Sequence, residues 1–150
     1  MSTAEEDFEV LLMNEKSKCQ NNQKIIVSRD KGTAREHRAR NQKEGYCVRH
    51  YKLDGELVNN TKCCDFLLLN DSLKRAYYIE LKGGNVEEAI PQLEGAVAIF
   101  HSELSDYETL FRIVCSKVRA HKVNSNKFRK FQAKVGSALK YKSVMMEEEL

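Results

Sequence analysis

Three polar side chains stand at spacings that would let them act together: Asp65, Glu80 and Lys82. Asp65 heads the unbroken apolar run Phe66-Leu67-Leu68-Leu69, which reads as a strand covered on both faces. An unpaired carboxylate in such a place is costly. After the turn-like stretch Asn70-Asp71-Ser72-Leu73-Lys74-Arg75, aromatic and β-branched residues resume in Tyr77-Tyr78-Ile79-Glu80-Leu81-Lys82. Glu80 and Lys82 are two apart in that strand and share one face, while Ile79 and Leu81 share the other. Two carboxylates on one surface can hold a divalent cation, which offsets charge on a phosphate and lowers the pKa of an attacking water. Magnesium keeps several waters and takes few protein oxygens, so Asp65, Glu80 and the backbone carbonyl of Leu81 would suffice. Lys82 is placed to orient or deprotonate that water and to stabilise charge developing on the phosphate. Gly83-Gly84 would let a bulky polymer approach the backbone.

A Glu-x-Lys alone is common on solvated strand faces, where opposite charges alternate. The combination is more specific. Asp65…Glu80-Leu81-Lys82 on consecutive strands, followed by a helix and another strand, resembles the PD-(D/E)xK nuclease superfamily over roughly residues 46–116. Cys64, and not proline, precedes the Asp. The resemblance implies an α/β, restriction-endonuclease-like fold: a mixed central sheet flanked by helices on both faces. It implies Asp65 and Glu80 as ligands of Mg2+ or Mn2+, Lys82 as the catalytic lysine, and DNA as substrate, with endonucleolytic cutting ahead of exonucleolytic. Pairing of two copies to cut both strands is a family implication as well. Some of these families carry a Gln near the site, which would be Gln92 here, although its helix position reads first as solvent-facing. Many add an acid from the first helix; Glu6, Glu9 and Glu36 all remain open for that role. The alternative from another class is a module that keeps the fold without catalysis and binds nucleic acid or a protein partner.

The elements that must position these residues follow from periodicity. Thr3-Ala4-Glu5-Glu6 is a capping box before Phe8, Leu11 and Leu12, which predicts a helix over about Ala4 to Lys16. Ile25-Ile26-Val27 is either a short strand or the start of a longer element. Residues 28–44 are almost wholly polar, with only Ala34 and Ala39 to offer a core, so an exposed helix or a mobile arm is expected. Tyr46 to Tyr51 reads as a strand and Asp54-Gly55 as a turn. Asn85 can cap a turn through Glu88, and Pro91 fits the start of a helix whose apolar stripe is Leu93, Val97, Phe100 and Leu104. Leu110 to Ser116 is another strand. A last helix, capped near Ser125 and reaching about residue 140, would turn Phe128, Phe131, Val135 and Leu139 inward. The two phenylalanines are at core spacing and are expected to bury, not to stack on bases. Residues 145–150 read as a frayed acidic tail.

One domain is expected for 150 residues, long enough to bury its core without staples. Five cysteines without Cys-x-x-Cys or Cys/His spacing argue against structural zinc or a disulfide framework, and for free thiols in a reducing compartment. No apolar run approaches bilayer length, so a soluble intracellular protein of cytoplasm or nucleus is expected. The net charge of +3 decides nothing, but its distribution is uneven. Residues 117–142 hold nine Lys/Arg and no acid, and residues 24–52 hold nine against three acids. Such segments flanking an acidic site suit a polyanion, with Arg35, Arg38, Arg40, Lys127, Arg129, Lys130 and Lys134 as candidate phosphate contacts. The four histidines show no ligand spacing.

Overall fold

The computed structural model describes Leu12, Ser17, residues 23–43 and residues 45–150. Among the described residues, eight strands form two sheets. The larger contains β3 (Val48–Lys52), β4 (Phe66–Asn70), β5 (Arg75–Lys82), β6 (Glu108–Cys115) and β7 (Leu139–Ser143), in that spatial order. Its first three strands are antiparallel and its last three parallel. The switch has a local cause. A tight turn joins β4 to β5, in which the Asn70 side chain accepts the Leu73 N–H at 3.0 Å, whereas a helical crossover, α1 (Ile90–Phe100), joins β5 to β6 and brings the chain back parallel. The smaller sheet consists of β1 (Ile25–Arg29), β2 (Glu36–Arg40) and β8 (Met145–Glu149), with β2 in the middle. Two shorter helices, α2 (Ala120–Val123) and α3 (Asn126–Val135), lie between β6 and β7.

The apolar run of β4 is buried at every position because the large sheet is covered twice. Leu67, Leu69, Tyr78 and Ile113 pack with Leu93, Ala96 and Phe100 of α1 and with Phe128 and Phe131 of α3. On the other side Phe66, Leu68, Ile79, Leu81 and Val114 pack against Ile26, Ala39 and Met146 of the small sheet. The protein is therefore mixed α/β, with two mixed sheets and few helices. Among the described residues the helices cover one face of the large sheet only, and the expectation of helices on both faces is corrected there. No helix of the described residues is long and apolar enough to cross a membrane.

Three further expectations change. The described part of the 28–44 stretch, residues 28–43, is neither an exposed helix nor an arm: it holds the end of β1, a turn, and β2. The strands were hidden because their inward positions carry polar or small residues, Ser28, His37 and Ala39, all fully buried. Ser28 Oγ lies 2.9 Å from His50 Nε2, and His37 Nε2 lies 2.6 Å from Glu148 Oε2, so each of these two buried side chains has a polar partner. The acidic stretch 145–150 is not a frayed tail but β8, paired in parallel with β2, and it buries Met146 and Leu150. Its Glu148 carboxylate takes Arg112 Nε at 2.7 Å and Nη2 at 3.1 Å. Finally, the last helix is capped by Ser125, whose Oγ accepts the Phe128 N–H at 3.3 Å, but it stops at Val135, and Leu139 begins β7. The Ala4 to Lys16 helix lies outside the described residues, apart from Leu12, which is buried in the core beneath the large sheet.

Candidate functional site

The register that pairs Phe66 with Ile79 and Leu67 with Tyr78 sets Asp65 opposite Glu80 at the open end of the β4–β5 ladder. Lys82, two residues beyond Glu80, shares its face. Asp65 is held from two directions. Its carbonyl accepts the Leu53 N–H at 2.8 Å, and its Oδ2 accepts the Leu81 N–H at 2.8 Å. Leu81, expected to offer its carbonyl, thus meets Asp65 through its amide.

The loop leading into Asp65 lies directly on α1. A Cβ added at Gly95 would stand 2.2 Å from the Lys62 carbonyl oxygen, so only glycine permits this approach. Gln92, on the same helix, is half-buried and not turned to solvent: its Oε1 accepts the Cys63 N–H at 3.2 Å. Helix α1 therefore fixes the approach to the acidic pair through a glycine and a glutamine.

Electrostatics set this pair apart. Glu80 is 5% exposed, and its Oε1 is buried with no hydrogen-bond partner among the described residues. Burial, and then the charge of Asp65, push the Glu80 carboxyl up to about 9. Burial also raises Asp65, opposed by the Leu81 N–H. Burial and mutual repulsion together disfavour having both carboxyls ionised at once. Cys64 beside them is fully buried, and its thiol is raised by that burial; with Cys63 and Cys115 it is a free, buried cysteine, as expected. Two carboxylates that resist ionising together, one with an orphaned oxygen, form a donor set suited to a divalent cation. Among the described residues no group of three or more His, Cys, Asp or Glu is placed to hold a metal ion, so the described candidate is a pair.

Comparison with protein-family models, with curated proteins and with solved structures returned no match. What the chain can do has to be taken from the site itself.

The remaining candidates are distributed unevenly. Lys82 Nζ lies 3.9 Å from Glu88 Oε2, on the 3-10 turn Val86–Ala89 that follows Gly84. The sequence places Glu88 only in a turn, and its position beside Lys82 follows from that tight turn folding back over the end of the strand. Glu36 is on β2, with its Oε1 3.2 Å from Arg38 Nε, and no described contact joins it to Asp65. Glu6 and Glu9 lie outside the described residues. Arg38 and Arg40 are engaged by Glu36 and Glu149 at 3.2 and 3.4 Å within the small sheet. Arg35 comes to the site: its guanidinium lies 3.6 Å from where a Cβ on Gly83 would stand. Lys127, Lys130 and Lys134 line a groove between α1 and α3 with Ile90, Glu94 and Phe131. Lys134 there reaches Glu94 at 3.6 Å. Arg129 is exposed on α3. Phe128 and Phe131 are 0% and 4% exposed, so they serve the core as expected.

Proposed function

We propose that this protein is a Mg2+- or Mn2+-dependent nuclease that hydrolyses phosphodiester bonds in DNA, built on a restriction-endonuclease-like core. The observation that carries the reading is the Asp65–Glu80 pair: two carboxylates opposed across one ladder, one of them buried with an oxygen that no described group satisfies. A stability-driven fold gains nothing from such a pair, because burying like charges together is unfavourable. A bound divalent ion would supply charge neutralisation at the phosphate and a more acidic water.

The protein's own groups divide the remaining work. Asp65, fixed by two backbone contacts, and Glu80 would hold the ion, whose charge would favour ionisation of both carboxyls. Lys82 presents its ammonium on the same face, 30% exposed, where it can orient the attacking water or stabilise charge on the phosphate. Glu88 at 3.9 Å holds that ammonium near the strand end. Basic residues lie on both sides. Arg29, Lys31 and Lys52 line a groove that also contains Asp30, a residue close enough for its charge to act on Asp65. On the other flank, Lys122 Nζ meets Glu87 at 3.0 Å and leads to the lysine groove of α3. This favours a long polyanion over a small phosphate ester. A homodimer that cuts both strands belongs to the same proposal.

The test is cleavage of plasmid, linear and branched DNA and of RNA, with and without Mn2+, by wild type, Asp65→Ala and Lys82→Ala. Wild type is expected to cut DNA only with metal present, and each variant to be slower by about 100-fold or more. If all three proteins act identically on every substrate, the catalytic reading fails. Salt-sensitive binding without cutting would favour the non-catalytic nucleic-acid module.

A further inference from the structure

Six arginines have side chains at least partly withdrawn from solvent: Arg35, Arg38, Arg40, Arg49, Arg75 and Arg112. Five of them have a carboxylate. Arg38 takes Glu36, Arg40 takes Glu149, Arg49 takes Asp71, Arg75 takes Glu108 and Arg112 takes Glu148. Arg35 has none among the described residues. Among the described residues its side chain donates from Nη1 to Ser116 Oγ at 2.9 Å, and its buried Nε has no partner there. A guanidinium carries five donors in a planar fork, and leaving a buried one unsatisfied is unfavourable. Among the described residues, the side chain therefore has donor capacity left over for a further acceptor.

Its position indicates what the acceptor is. Arg35 immediately precedes β2 and reaches across to the ends of β5 and β6, where its guanidinium lies against Gly83, next to Lys82. Ser116 directly follows β6, and its N–H donates to the carbonyl of Lys82 at 3.3 Å. Since Ser116 Oγ accepts from Arg35, its own proton is available to donate outward. Arg35 and Ser116 therefore offer a planar fork and a hydroxyl together, one residue beyond the candidate catalytic lysine. Tetrahedral oxyanions are bound by such donor sets, the fork engaging two oxygens at once.

We propose that Arg35 and Ser116 form a phosphate clamp that grips a backbone phosphate neighbouring the bond to be cut. This rests on the nuclease reading for its substrate, but not for its chemistry, because binding through the clamp needs neither metal nor hydrolysis. The clamp ties substrate position to the small sheet. The β1–β2 hairpin delivers Arg35 from the opposite side of the large sheet to that covered by α1, so the strand being cut would be held between two layers.

Binding of a fluorescein-labelled DNA duplex, followed by anisotropy in EDTA over a range of salt, tests the clamp without cleavage. Arg35→Ala is expected to weaken binding about tenfold and to lower the slope of log K against log salt by about one, as for one lost phosphate contact. Arg35→Lys should keep the slope but recover only part of the affinity, because an ammonium cannot reproduce the fork. Ser116→Ala should weaken binding without changing the slope. Equal affinity and slope in wild type and Arg35→Ala would overturn the proposal. Should Arg35→Ala not fold, the Nε–H resonance of Arg35 in the wild-type protein decides instead. It must shift when the duplex is added, and an unmoved resonance counts against the clamp. Asp65→Ala separates the two readings: if Arg35 governs binding while wild type and Asp65→Ala both fail to cut, the clamp stands and the hydrolase reading falls.

Discussion

Asp65 accepts the N–H of Leu81 at 2.8 Å, a bond that runs from side chain to neighbouring strand and locks the carboxylate beside Glu80. The bond makes the crowding of the two acids a fixed property of the fold, since Asp65 cannot swing away to relieve it. Metal-free protein should therefore be held in a less stable state than its packing alone would give.

The first prediction concerns that crowding. The folded Glu80 carboxyl is raised from an ordinary 4.5 to about 9, so the folded state binds a proton that the unfolded state has released. Its contribution to stability is fully present below about pH 4.5 and is lost as pH rises towards 9. In EDTA the wild-type melting temperature should fall across this window relative to Glu80→Gln. At pH 8 the variant should be the more stable by at least about 1 kcal/mol, or roughly 2–4 °C. Adding Mn2+ should raise wild type and leave Glu80→Gln nearly unmoved. Parallel pH profiles for the two proteins would contradict the assignment.

Glu148 behaves in the opposite sense. Although burial opposes it, hydrogen bonds from His37 and Arg112 hold its carboxyl at about 2. A depressed folded pKa gives stability that is present above the unfolded value of 4.5 and is lost as pH falls towards 2. The loss should be on the order of 3 kcal/mol, seen as acid unfolding that begins below about pH 4.5. Glu148→Gln should be destabilised at pH 7 by about 3–5 kcal/mol, because it leaves the buried Arg112 without its counter-charge. Urea titration at pH 7 and pH 3 measures both.

Gly95→Ala sets two effects against each other. Alanine in a helix interior is favoured over glycine by about 1 kcal/mol. Here its Cβ would meet the Lys62 carbonyl oxygen at 2.2 Å, a backbone atom with no rotamer to change. Overpacking of this kind costs about 1–3 kcal/mol, so the net effect should be destabilising. The displaced loop carries Asp65, and cleavage should fall more than stability does. A variant as stable as wild type would show that the contact is slack.

Removal of residues 145–150 should be severe. It deletes β8, two buried apolar side chains and the carboxylate that pairs with Arg112. Circular dichroism of the truncated protein should show loss of the cooperative transition, whereas a frayed tail would leave it unchanged.

Strands β3 to β6 of the large sheet were legible in the sequence from apolar or β-forming stretches bounded by turn residues, whereas β7, Leu139-Lys140-Tyr141-Lys142-Ser143, reads as the end of the last helix; the Asp65, Glu80 and Lys82 arrangement followed from register and alternation. The small sheet was not legible. Its inward positions are Ser28, His37 and Glu148, whose burial is possible only because they bond to His50, to each other and to Arg112 across the layer. Periodicity scores hydrophobicity and cannot see a partner supplied from elsewhere in the chain. Arg35 was one cation in a basic stretch for the same reason. What distinguishes it is that no carboxylate among the described residues engages it, and that is a property of the folded surroundings.

The pairing of β2 with β8 has a consequence in time. His37 and Glu148 are 111 residues apart, and Leu150 donates its N–H to the Arg40 carbonyl at 2.9 Å. During synthesis the hairpin that bears Arg35 leaves the ribosome long before its partner strand has been made. Contacts of such long range form late, after loop closure has been offset by other parts of the fold. A nascent chain would therefore assemble the acidic pair, whose two strands are joined by a short turn, well before it could complete the grip on a phosphate. The order of manufacture would make competence for binding the last property to appear.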